Sequence, residues 1–163
     1  MGEGHIIKCS NCGTEYMVDT GIGMLFPKVY GDTVEDIKAG KYGEEAKELF
    51  MSKPYKAVDC EYDLYVCECG NWNVEENLDI YEISDESRMK ERYPAEEGHG
   101  YVMREDLEEY FKLIMPHVHV CERCGKPMKR IKRPDYYVRQ YGLKCPDCGT
   151  KNKADLSTRI LWD

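Results

Sequence analysis

The chain has no apolar run approaching the ~18 residues that a membrane-spanning helix needs, so no membrane partner is expected. Its first residues, MGEGHIIKCSNCG, lack a basic start followed by an apolar core, which argues against a secretory signal. Ile6 stands where a myristoylation signal wants Ser or Thr. Signatures of catalysis are also missing. There is no Gly-x-Ser-x-Gly string, and Gly21-Ile22-Gly23 lacks the third glycine and the strand–helix setting of a nucleotide loop. Asp19-Thr20-Gly21 occurs once, whereas aspartic proteases bring two such carboxylates together; after a strand it reads as a turn. These absences lead to the expectation of a soluble, cytoplasmic protein without catalytic residues, in one or two small domains of a 163-residue chain.

What the chain does have is cysteine. Nine are present, and eight form four close pairs, each followed at once by glycine: Cys9 and Cys12, Cys67 and Cys69, Cys121 and Cys124, Cys145 and Cys148. Two thiolates a few residues apart reach one metal ion from a tight turn, and glycine after the second lets the backbone curl around the sulfurs. Four such knuckles supply two sites of four cysteines each. Twenty residues separate Cys124 from Cys145, a spacing that reads as a zinc site. Local pairing therefore gives Cys9, Cys12, Cys67 and Cys69 for one site, and Cys121, Cys124, Cys145 and Cys148 for the other. Pairing Cys9 and Cys12 with Cys145 and Cys148 is the alternative left open by the sequence. Cys60 lies in an alternating stretch, in register with Val58, Tyr62, Leu64 and Val66, and reads as a buried residue of one strand. His117 and His119 share a strand face with Cys121, but an exposed face beside the knuckle is the simpler reading. His5 and His99 carry no signal.

Ile6 to Tyr16 and Leu143 to Gly149 resemble the knuckles of the zinc-ribbon group, which are rubredoxin-like. The order of knuckles is similar to bacterial proteins carrying two ribbons in tandem, and that likeness implies no activity. It implies two structural zinc ions, with a rubredoxin-like iron site for single-electron transfer as the alternative. A four-thiolate zinc has no open position for a water, so it is structural.

The expected class is α+β: two small zinc-ribbon β units with a helical insertion and a connecting helix. Residues 1–83 form the first ribbon, interrupted at about 20–56, where Ala46, Leu49, Phe50 and Lys53 share a helical face that ends at Pro54. Residues 84–115 form a helical linker broken at Gly98-His99-Gly100. Within it Leu107, Tyr110, Phe111 and Ile114 follow helical spacing up to Pro116. Residues 116–163 form the second ribbon and close on Arg159 to Trp162. That last segment has eleven Lys and Arg against five Asp and Glu, so it is basic within a chain of net charge −8. Lys129, Arg130, Lys132, Arg133, Tyr136, Tyr137 and Arg139 interleave cations with aromatics, a pattern suited to nucleic acid. The leading expectation is a non-catalytic interaction module with a protein partner; nucleic-acid binding through 126–141 is the alternative.

Overall fold

The computed structural model describes residues 2–53, 55–92 and 101–162. Pro54 and the Gly98-His99-Gly100 break lie outside these. The fold is α+β, with short antiparallel sheets and short helices. It divides into two compact units that interleave along the chain. The first contains the residues up to Met24, Tyr62–Glu76 and the chain from Val118 onward; the second contains Leu25–Glu61 and Asn77–His117. The division expected from the sequence is serial, 1–83, 84–115 and 116–163, whereas these units interleave. Besides its neighbour in sequence, the first strand takes a partner from the far end of the chain.

In the first unit, β1 (Gly2–Lys8) buries His5 and Ile7 and exposes Ile6 and Lys8. β2 (Glu15–Thr20) buries Tyr16, Val18 and Thr20. The alternation follows from the two-residue period of a strand with one covered face. The two pair antiparallel, His5 opposite Val18 and Ile7 opposite Tyr16. The other edge of β1 is taken by β11 (Arg159–Trp162), with Gly4 opposite Ile160. A second sheet places β4 (Tyr62–Val66) between β5 (Trp72–Glu76) and β8 (Lys129–Arg130). α5 (Pro134–Gln140) begins with proline, which is tolerated where a helix's N–H groups have no internal partner. β9 (Leu143–Lys144) and β10 (Lys151–Asn152) complete the unit. Its core is Ile7, Tyr16, Val18, Leu64, Val138, Leu143 and Ala154, with Cys9 and Cys145 built into it and Trp72 and Tyr137 among the residues packed against it. At about 1.5–3 kcal/mol for each large apolar side chain, this is a small core.

In the second unit, α1 (Phe26–Lys38) buries Tyr30, Thr33, Val34 and Ile37 at i, i+3, i+4 and i+7. α2 (Glu44–Met51) buries Ala46 and Phe50 of the expected face, while Leu49 is half-buried. β3 (Lys56–Val58), β6 (Ile80–Ile83) and β7 (Phe111–Met115) form a sheet in the order β3-β6-β7. α3 (Glu86–Arg92) and α4 (Arg104–Tyr110) complete the described elements.

Two sequence expectations change here. The helix expected through Ile114 stops at Tyr110, because Phe111–Met115 pairs with β6, Ile83 opposite Phe111. Aromatic and branched residues suit that pleated surface, and the ladder outweighs helical spacing. The strand expected to run from Val58 to Val66 breaks at Asp59-Cys60-Glu61. Asp59 accepts a hydrogen bond from the Glu61 N–H and a two-pronged ion pair from Arg104, which holds the backbone in a turn. Cys60 is nonetheless buried, at 1 % exposure.

Candidate metal centres

Each knuckle is a local hydrogen-bonded turn. The Cys9 N–H donates to the Thr14 carbonyl at 2.8 Å and the Gly13 N–H to the Cys9 carbonyl at 3.0 Å. The same two bonds recur from Cys145 to Thr150 and from Gly149 to Cys145, and again from Cys121 to Lys126 and from Gly125 to Cys121. The Cys67 knuckle is one residue shorter and closes one residue sooner, from Cys67 N–H to the Asn71 carbonyl and from Gly70 N–H to the Cys67 carbonyl. All four glycines have positive φ, between 69° and 84°. Any residue with a Cβ would be strained there.

The knuckles assemble as Cys9, Cys12, Cys145 and Cys148, and as Cys67, Cys69, Cys121 and Cys124. In each group all four sulfurs lie within 4.8 Å of one another. The local pairing is therefore corrected, and the end-to-end alternative is the one that forms. The reason lies in the sheets. β1 and β2 flank the first knuckle, and β1 is closed by β11, which brings the last knuckle to it. β4 leads into Cys67, and it is paired by β8, which follows the Cys121 knuckle. The sequence holds a signal for this pairing. Cys-x-x-Cys-Gly-Thr occurs twice, at 9–14 and at 145–150, and the two copies meet.

The donor set fits one tetrahedral ion per group. Thiolates at ~2.3 Å from zinc stand about 3.8 Å apart. Observed separations are 3.5 Å for Cys9–Cys148, 3.7 Å for Cys12–Cys145, 3.4 Å for Cys67–Cys124 and 3.7 Å for Cys69–Cys121. These are too long for a disulfide, whose sulfurs stand ~2.05 Å apart. Cys9, Cys145, Cys67 and Cys121 place one sulfur of each knuckle in the interior; Cys69 is half-buried, and Cys12, Cys148 and Cys124 are exposed.

The thiols are poised for a cation. The Thr150 hydroxyl and backbone N–H hold Cys148 down to about 5. Against backbone N–H bonds from Cys148 and Asp147, burial and the neighbouring thiols Cys12 and Cys9 push Cys145 up to about 11. The second group repeats this. Burial opposes ionisation of Cys121, but the N–H groups of Cys124 and Arg123 and the Asn71 amide bring it to about 6. The N–H of Cys69 favours the Cys67 thiolate, yet burial and the sulfurs around it push Cys67 up to about 12. Neighbouring sulfurs in each group thus compete for negative charge, and a cation among them would relieve that competition.

Other candidates from the sequence fall elsewhere. Cys60, His117 and His119 belong to neither group of four. The His119 ring lies 4.1 Å from that of Tyr65, and the His117 N–H donates to Asp79. Asp19 and Thr20 end strand β2 rather than forming a turn. The basic stretch does not present an even row of cations. Arg130 pairs with Asp63 at 2.7 Å, Arg139 pairs with Asp135 at 2.7 Å, and Tyr137 packs on the core. Lys129, Lys132, Arg133 and Tyr136 line the surface of this stretch, Tyr136 being 50 % exposed. Counted over the whole first unit, twelve Lys and Arg meet twelve Asp and Glu, so the basic segment is offset by the segments that fold against it.

No protein family, curated protein or solved structure matches this chain. Two groups of four cysteines able to bind metal remain the functional feature. Among the described residues, no helix is long and apolar enough to cross a membrane.

Proposed function

We propose that the protein binds two zinc ions in zinc-ribbon-like sites and that both ions are structural, making the first unit a metal-stapled module for interaction rather than catalysis. The observation that carries this is the convergence of four sulfurs in each group within 4.8 Å, with no other ligand type among them. Four thiolates complete a tetrahedral zinc and leave no position for substrate. The small core of that unit supports the reading, because structural zinc supplies apparent binding energies of ~10–16 kcal/mol, comparable with the whole stability of a domain.

Metal analysis of protein purified without added metal tests it. Two zinc per chain and a colourless solution are expected, with unfolding of the first unit on chelation. A red protein with visible absorption would instead assign iron and single-electron chemistry. Metal-free protein with unchanged structure would refute metal binding altogether.

A further inference from the structure

The face of β1 and β2 that carries the core ends in an open cleft beneath α5, away from both groups of cysteines. It has a volume of about 320 Å³, at the small end of ligand pockets. Val18 and Val138 lie beneath it, almost wholly buried, and Arg133 just before α5, Arg139 of α5 and Arg159 of β11 are among its lining residues. Among the described residues, the carboxylates lining it are Glu3 and Asp135, so cations exceed anions.

The wall is held rigidly. His5 is 3 % exposed, and its two ring nitrogens lie 2.9 Å from the Thr158 hydroxyl and 3.0 Å from an Asp135 oxygen. Asp135 also accepts from Arg139, whose guanidinium holds its carboxyl below the usual range. Asp135 is thus committed to the wall. Arg133 differs: it rests 5.8 Å from the Tyr136 ring centre, and among the described residues no carboxylate pairs with it. Arg159 pairs with Glu3 at 2.6 Å, but both are roughly half exposed, and such a pair is worth only about 0–1 kcal/mol. An incoming anion can therefore displace Glu3 at little cost.

We propose that this cleft binds a small organic anion, a phosphate monoester or carboxylate borne on a single flat apolar ring. Arg133 and Arg159 grip the oxyanion, as planar guanidinium groups do. The ring lies against Tyr136, the half-exposed aromatic of the lining. A cleft of this size admits one ring, not a run of stacked bases, which sets the proposal apart from polymer binding.

Calorimetric titration of the metal-loaded protein tests this, with phenyl phosphate, benzoate and inorganic phosphate as probes. Saturable binding of phenyl phosphate or benzoate is expected, and the tighter of the two identifies the oxyanion. Arg133→Ala and Arg159→Ala should each weaken it about tenfold, the scale of one hydrogen bond to a charged group. Glu3→Gln should tighten it by freeing Arg159, and Lys151→Ala, on a strand outside the cleft, should leave it unchanged. Three results would overturn the proposal: no saturation by either ring compound below about 10 mM, affinities indifferent to both arginine substitutions, or binding of a single-stranded oligonucleotide without binding of phenyl phosphate.

Discussion

The pairing of the knuckles can be decided by removing one cysteine from each of two knuckles at a time. In the structure, Cys9→Ser with Cys145→Ser damages one site only, whereas Cys9→Ser with Cys67→Ser damages both. The first double variant should hold one metal per chain and the second none, read by native mass spectrometry with atomic absorption. Local pairing predicts the reverse. Survival of the remaining site follows from nesting. The Cys67–Cys124 group closes a loop from Cys69 to Cys121, inside the larger loop from Cys12 to Cys145. A cross-link around the ~50 residues of the inner loop constrains the unfolded chain by about 4 kcal/mol, whether or not the outer one exists. With the inner site closed, the outer one still has 54 residues to restrain before Cys67 and 20 after Cys124, a further 4–5 kcal/mol or so. The first double variant should therefore unfold at a lower temperature than the wild type but still by a metal-dependent transition. One metal bound to the Cys9/Cys67 variant and none to the Cys9/Cys145 variant would refute the end-to-end assembly.

Three further outcomes follow from single sites. Cys60→Ser should leave the metal count at two, since this buried thiol is in neither group; loss of one equivalent in mass spectrometry would overturn that assignment. Burial raises the Asp19 carboxyl, and its Oδ1 has no hydrogen-bond partner, so the ionised form is penalised in the folded state. A raised acid loses stability as pH climbs from the unfolded value through the folded one. Asp19→Asn should therefore raise the Tm at pH 7, and the gain should vanish well below about pH 4. Lys56 is fully buried and its ammonium lies 2.9 Å from Glu82, so Glu82→Gln should cost roughly 1–3 kcal/mol in urea titrations by removing a counter-charge beside a buried cation; a neutral effect would show that the pair carries no weight.

The ligand residues are legible in the sequence because a knuckle is a local object: two cysteines and a glycine suffice to define it. So are β2 and the burial of Ala46 and Phe50, where short periodicities report one covered face. The pairing is not, because loop closure scarcely distinguishes 54 intervening residues from 132, given its logarithmic dependence on length. Strand partners such as Gly4 with Ile160, which lie 156 positions apart, decide it. Local spacing misleads at Leu107 to Ile114, where residues fit to either period are claimed by a neighbouring strand. α1 is hidden in sequence despite its regular spacing, since proline and glycine at positions 27 and 31 mask a helix. The basic segment stands in the sequence as a charged end, and folding distributes its charge among carboxylates from elsewhere in the chain.

The joining of the two extreme knuckles also sets an order of events during synthesis. Cys9 and Cys12 leave the ribosome early, but their partners are made 136 residues later than their own positions, and β11 later still. At about 5–20 residues per second, that is a wait of roughly 7–27 seconds. During it the first knuckle is a reduced two-thiol half-site, able to capture the wrong ion or to oxidise. The Cys67 group meets its partners sooner, so the inner group of four is complete first. If the sites hold metal as proposed, protein made under oxidative stress or metal limitation should be lost at the Cys9–Cys148 centre before the other.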